Sequence, residues 1–405
     1  MNPMEKIWCR TYQTAMDGAS HVLPWRQPLL SEGEGALYDL PGIIENEDCG
    51  KVLVVTDPGL MAVGIPQRVT AMLERSGAGY AIYDKVEPNP TDTTVEAIRQ
   101  MYLDEGCGGF IAVGGGSSMD AAKGAAARIA RPNLPLAKMA GLFKITHRLP
   151  PFIAIPTTAG TGSETTITAV ITDSATHHKY AINDISLIPK YAILDPALTT
   201  GLPPAVTAAT GMDALTHAVE AYLSVRCNTK ETLQWAEEAV AGIFANLENV
   251  YQNGDDMEGR TAMLSASFKA GSAFTRTGVG YVHAVAHTLG GLYGTPHGLA
   301  NAVLLPIVLE EYGSAIYPQL AKLYDAAGLD TGALGVPKKA RDFIREIRAM
   351  NERMDIPAGF GFIKKKDVPQ MIEWALAEAN PLYPVPVIFG KKEIYRIIYR
   401  ARTEA

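Results

Sequence analysis

From about residue 35 to about residue 200, short β-branched runs alternate with stretches whose apolar positions recur every three or four residues. KVLVVTD (51–57), GYAIYDKV (79–86), GGFIAVGGGSS (108–118) and PFIAIPTTAGTGSE (151–164) predict strands that run into turns or loops. IPQRVTAMLERSG (65–77) has helical spacing and a glycine stop. TDTTVEAIRQMYLDEG (91–106) opens with cap-type residues, and MDAAKGAAARIA (119–130) predicts a third helix. Strands alternating with helices imply right-handed crossovers and a mostly parallel sheet. After Asp195-Pro196 the β-branched runs thin out and helical spacing dominates, as in residues 231–251 and 336–350. The expected architecture is an α/β domain over 1–200 followed by an all-helical domain over 201–405, divided near TTGLPP. Residues 1–35 have no clear period and are expected to form an extension of unassigned structure. No linker or repeat separates the halves, so a cleft between them is the expected site.

Composition narrows the partners. The chain has 405 residues, too many for one ordinary core, and its mix of 47% hydrophobic and 20% charged residues is that of a soluble globular protein. A formal charge of −7 argues against nucleic acid and anionic membrane, which reward clustered Lys and Arg. No uninterrupted apolar run reaches bilayer length, and MNPMEKIWCRTYQTAMDG has no signal-peptide stretch. Cys9, Cys49, Cys107 and Cys227 are far apart and form no CxxC pair. The expectation is a cytoplasmic protein with reduced thiols.

AVGGGSSMDAAK (112–123) puts three glycines between a strand and a helix. Glycine lets the backbone approach a diphosphate, and the helix start offers free N–H groups and a positive dipole end. Gly115, Gly116 and Ser117 are the foremost candidate donors. The run is not GxGxxG, and the candidate ribose acid comes earlier: Asp57, at the end of KVLVVTD. A carboxylate there accepts ribose hydroxyls and repels a 2′-phosphate, favouring NAD over NADP; the competing reading is a turn-forming Asp before Pro58. IPTTAGTGSE adds Thr157, Thr158 and Thr161 at another strand end. Three polar or glycine-rich stretches at strand ends of one sheet suggest a nucleotide site.

The eight histidines are unevenly spread. GMDALTHAVEAY (211–222) sets Asp213 and His217 four apart, on one helical face. His283 and His287 share another face; GGLYGTP then breaks the helix and His297 opens HGLANAVLLP. One carboxylate with up to three imidazoles suits a divalent transition metal such as Fe(II), Zn(II) or Mn(II). Spacing leaves open which three histidines bind. His21, His147, His177 and His178 stand outside this pattern and are expected to be solvated.

GGGSSMDAAK, IPTTAGTGSE, GMDALTHAVEAY, HAVAHTLGGLYGTPHGLANAVLLP and NPLYP (380–384) together resemble the iron-containing (group III) alcohol dehydrogenases, over about residues 35–385. The resemblance implies the dehydroquinate-synthase-like architecture: a dinucleotide-binding α/β domain followed by an all-α metal-binding domain. It implies NAD, a divalent metal with Fe(II) foremost, an alcohol or aldehyde substrate and a homodimer. By motif it assigns the ligands to Asp213, His217, His283 and His297, and leaves His287 as a proton relay beside the metal. It assigns NAD contacts to Asp57, Asn89, Gly115, Gly116, Ser117, Thr157, Thr161, Val170 and Lys179. Thr168 stands where propanediol-type members carry an asparagine, which argues against lactaldehyde. The implied reaction is hydride transfer between a primary alcohol or short diol and NAD. A glycerol-dehydrogenase-like polyol enzyme is the nearest alternative; a metal-dependent hydrolase would use the same Asp/His set but leave the glycine turn and Asp57 unexplained.

Overall fold

A computed structural model of the chain describes residues 1–176, 179–329 and 332–403; His177 and His178 therefore lie outside the described residues. The chain forms two compact units, 24–201 and 1–23 with 202–405. It opens with helix α1 (Pro3–Ser20), started by an Asn2–Glu5 capping box. α1 belongs to the helical unit. This corrects the expected 1–200 domain at its N-terminal end: residues 1–23 are no extension of the sheet unit.

The sheet unit runs through β1 (Leu29–Glu32), α2 (Leu40–Glu47), β2 (Lys51–Val55), α3 (Pro58–Ala62), α4 (Ile65–Ser76), β3 (Gly79–Tyr83), α5 (Asp92–Asp104), β4 (Gly109–Gly114), α6 (Gly116–Ala130), β5 (Gly141–Leu142), β6 (Phe152–Pro156), β7 (Thr168–Thr172), β8 (Lys179–Asn183) and β9 (Tyr191–Leu194). The main sheet has the order β1-β9-β6-β4-β2-β3, with every pair parallel. Its central strands β2, β4 and β6 are buried on both faces, which is why they read as unbroken apolar runs. Leu53, Val55, Phe110 and Ala112 face one core, with α5 and α6; Val52, Val54, Ile111 and Val113 face the other, with α2 and α4. β3 lies on one side of β2 and β4 on the other, so the sheet changes its direction of growth at β2–β4. Ligands bind α/β sheets beyond the carboxyl ends of the strands at such a reversal. A second sheet, β5-β8-β7, holds an antiparallel β7–β8 pair that the sequence pattern did not separate from loop.

The helical unit continues with α7 (Pro204–Leu223), α8 (Lys230–Gln252), α9 (Met257–Thr277), α10 (Tyr281–Tyr293), α11 (His297–Tyr312), α12 (Tyr317–Ala326), α13 (Val336–Arg353), α14 (Val368–Ala379) and α15 (Lys391–Ala401). α7 is its axis, buried on nearly every side. Two glycines let neighbours come close. A Cβ at Gly211 would lie 2.2 Å from Leu247 of α8, and one at Gly298 would lie 2.3 Å from the carbonyl oxygen of Ala209. The second approach seats the start of α11 directly on α7. The expectation that no apolar run reaches bilayer length needs one amendment. His297–Ala326 is long and apolar enough by composition, but it is a mostly buried pair of helices divided by a 3₁₀ turn at Gly313–Ile316.

Candidate active site

In the helical unit, α7 presents Asp213 and His217 one turn apart, α10 presents His283, and α11 begins with His297. One ligand atom from each lies within 4.8 Å of all the others. The first three are buried, while the His297 side chain is 40% exposed and gives the site its open side. His217 stacks between Phe274 and His283, with ring centroids 4.2 and 4.6 Å away. Burial pushes the Asp213 carboxyl up and drives His283 down to about 3, with the neighbouring His287 acting in the same sense on His283. A neutral His283 imidazole beside a buried carboxylate offers the donor types that a divalent cation binds.

Three residues around the ligands were not singled out by sequence reasoning. Glu220 is buried and accepts the backbone N–H groups of Gly280 and Val282, each at 2.8 Å. Its Oε2 also lies 2.6 Å from His283 Nδ1. One carboxylate thus caps α10 and holds the His283 proton on Nδ1, turning Nε2 toward the ligand cluster. Burial raises its pKa to about 7 against the pull of those N–H donors. A signal for it existed: Glu220 follows Asp213 by seven residues and His217 by three, on the same face of α7. Asn301, fully buried one turn after His297, donates Nδ2–H to Asp213 Oδ1 at 2.6 Å. Its Oδ1 is a buried acceptor with no hydrogen-bond partner among the described residues, an orphan at the edge of the ligand set. Glu378 of α14 lies 2.7 Å from His287 Nδ1 and accepts the Tyr383 hydroxyl at 2.6 Å. Burial pulls Glu378 up, but His287 and the Tyr383 hydroxyl outweigh it and leave its pKa lowered. His287 stacks on His297 at 5.2 Å yet is not one of the four convergent ligands. The convergent group thus takes in His217, His283 and His297. His21 and His147 are exposed and away from the cluster.

In the sheet unit Asp57, Gly115, Gly116, Ser117, Thr157, Thr158 and Thr161 follow the ends of β2, β4 and β6, whereas Asn89 follows β3 and Val170 and Lys179 lie in β7 and β8. Asp57 follows β2 and caps α3, its Oδ1 accepting Leu60 N–H at 3.0 Å. The turn-forming role weighed against the ribose role is therefore realised, through one of the two oxygens. Gly115 precedes α6, which starts at Gly116, three residues earlier than the pattern predicted. A Cβ on Gly115 would sit 3.4 Å from Thr158 Oγ1, and one on Gly116 3.2 Å from Thr161 Cγ2. The threonines of the β6 loop thus flank the glycine turn. Thr158 Oγ1 is buried without a partner among the described residues. Thr157 is buried, and its N–H donates to Gly114 at 3.2 Å. Asn89, at φ 60°, donates its N–H to Ser117 Oγ at 3.4 Å and accepts Lys179 Nζ at 2.7 Å. Val170 donates to Asp120 Oδ2 at 3.1 Å, and Asp120 also accepts Ser163 Oγ. Beneath them the buried Lys123 ammonium donates to Ser163, Thr166 and Thr168. Burial lowers its pKa to about 8. Asp120 and Lys123, both in the GGGSSMDAAK motif, tie the β6–β7 loop to α6. Thr168 donates its hydroxyl to Asn183 Oδ1 at 2.7 Å.

The donor sets fit a divalent metal and a dinucleotide, and comparison with known proteins agrees. The model of the iron-containing alcohol dehydrogenase family matches residues 29–196, and that of the family's C-terminal part matches 207–402. The chain belongs to the iron-containing alcohol dehydrogenase family. Alcohol dehydrogenase 4 of Saccharomyces cerevisiae is 39% identical over 92% of this chain and 97% of its own length. The 1,3-propanediol dehydrogenase of Citrobacter freundii is 39% identical over 87% of this chain and 91% of its own. The crystal structure of a 1,3-propanediol oxidoreductase superposes with a TM-score of 0.90 at 36% identity, covering 94% of this chain and all of that one. As a family member the chain is a metal-dependent, NAD-linked alcohol dehydrogenase and aldehyde reductase, which removes the hydrolase reading.

Proposed function

We propose that the enzyme interconverts a short primary alcohol or diol and its aldehyde, using Fe(II) and NAD(H). The convergence of Asp213, His217, His283 and His297 within 4.8 Å carries this reading, and relatives that act on alcohols and on 1,3-propanediol support the substrate class. The chemistry supplied by the bound groups is Lewis-acid polarisation of the substrate oxygen and hydride acceptance at the nicotinamide. Asp213, His217, His283 and His297 would hold the metal, and Glu220 keeps the His283 proton on Nδ1. His287 takes the alcohol proton at Nε2, since Glu378 holds Nδ1 as a donor, and passes it to solvent. Gly115, Gly116 and Ser117 bind the diphosphate, flanked by Thr157, Thr158 and Thr161; Asn89, Val170 and Lys179 line the nicotinamide side. The second Asp57 oxygen accepts a ribose hydroxyl. The same reading includes a homodimer. It also includes a cytoplasmic location, in keeping with four unpaired cysteines.

Elemental analysis of anaerobically purified protein, then an alcohol and diol screen by NADH absorbance on that sample, tests the reading. Protein with bound NADH and no activity on any alcohol would refute it. His287→Ala is expected to keep its metal and lose roughly 100-fold or more in kcat, the usual contribution of a positioned proton-transfer group. Release of the metal instead would move His287 into the ligand set. Asp57→Gly is expected to weaken the preference for NAD over NADP by about 10-fold or more, as kcat/KM ratios would report. An unchanged ratio would confine Asp57 to capping α3.

A further inference from the structure

Residues 1–28 precede the stretch matched by the family models, yet α1 is wired into the helical unit. Gln13 is 1% exposed despite its polarity. Its Nε2 donates to the carbonyls of Tyr383 at 2.7 Å and Pro381 at 3.2 Å. Arg10, one turn earlier, donates Nη1 to Gln13 Oε1 and to the Val385 carbonyl, and Nη2 to the Pro386 carbonyl, each at 2.8 Å. A glutamine–arginine pair on one helix face therefore takes four carbonyls of the 381–386 segment, a run of turns and bends between α14 and α15. Both donors of the Gln13 amide and its acceptor are engaged, so the pair has a fixed geometry. What it holds matters: Tyr383 is the residue whose hydroxyl meets Glu378 Oε1 at 2.6 Å, and the same oxygen meets His287 Nδ1 at 2.7 Å.

We propose that α1 is a positioning element of the active site: Gln13 and Arg10 fix the 381–386 segment so that Tyr383 holds the Glu378 carboxylate against His287. The inference rests on the assignment of His287 as proton relay. Gln13 touches no reacting atom. It acts through two intermediates, and a displacement of Tyr383 by a fraction of an ångström lengthens the hydrogen bond that orients Glu378. Such geometry is what proton-transfer groups depend on.

The test is a double-mutant cycle on full-length, metal-loaded enzyme with Gln13→Met, Tyr383→Phe and the double variant. Methionine matches the length of glutamine and removes both donors. Gln13→Met is expected to lower kcat by roughly 10-fold, part of what a proton-transfer group contributes, with the alcohol KM and metal content unchanged. Tyr383→Phe should lower kcat at least as much, and the double variant should be no slower than Tyr383→Phe alone. A general loosening of the fold would instead multiply the two effects and raise KM, and either result overturns the proposal. If Tyr383→Phe slows turnover while Gln13→Met does not, the inference fails and the His287 assignment stands; if Tyr383→Phe has no effect, the inference fails as well, and His287→Ala alone decides the relay assignment. Should Gln13→Met not fold, Arg10→Lys takes its place in the cycle. It keeps the charge but loses the planar grip on two carbonyls, and the same non-additivity is required of it.

Discussion

His283→Ala is expected to lose metal and turnover together. The ring supplies one of the four convergent atoms proposed as ligands, and burial keeps it neutral, hence able to coordinate. Alanine removes that nitrogen and opens a void between His217 and the Glu220 carboxylate. The remaining Asp213 and His217 are buried and His297 is partly exposed, so a three-ligand site binds more weakly and in altered geometry. Loss of Lewis-acid polarisation removes several kcal/mol of transition-state stabilisation, about 10³-fold or more in kcat/KM. Metal content and kcat/KM on one preparation check this. A variant with full metal content and normal turnover would exclude His283 from the ligand set.

Glu220→Gln should have the second largest effect, although Glu220 is not itself a ligand. Its carboxylate takes three donors, from Gly280, Val282 and His283. A carboxamide of the same shape must turn its NH2 toward at least one of them. The backbone N–H groups at the start of α10 then compete with His283 for a single oxygen. Metal affinity is expected to fall about 10–100-fold, the usual consequence of losing a ligand's carboxylate partner. The metal-free protein should also lose ~1–3 kcal/mol for each buried donor left unsatisfied. A competition titration with a chelator and thermal unfolding of the apo protein measure the two parts. Unchanged affinity would reduce Glu220 to a helix cap.

The sequence was most legible where one physical cause acted alone. Strands β2, β4 and β6 are buried on both faces, so their runs are apolar throughout and bounded by turns. β1 is mostly exposed and only four residues long, and β7 is a five-residue TAVIT with only two buried positions, so neither stood out from loop. Candidate ligands were legible in Asp213/His217 and His283/His287 because i,i+4 spacing brings chemistry to one helix face before any tertiary contact forms. The choice among His283, His287 and His297 was not, because it depends on where α11 crosses α7. Glu378 lies 91 residues from His287 and Gln13 lies 370 from Tyr383; no local periodicity can announce such pairs. α1 was opaque for the same reason. Its buried face is polar and finds its partners at the far end of the chain.

The contact of Gly298 with the Ala209 carbonyl extends the active site to an atom that is not there. His297 reaches its fellow ligands only because the next residue has no side chain to prop α11 away from α7. Any methyl group at this point would lever the helix start outward and carry the His297 imidazole with it. Catalytic competence here is thus guarded by a hydrogen, and a variant that leaves every functional group intact can still disarm the enzyme.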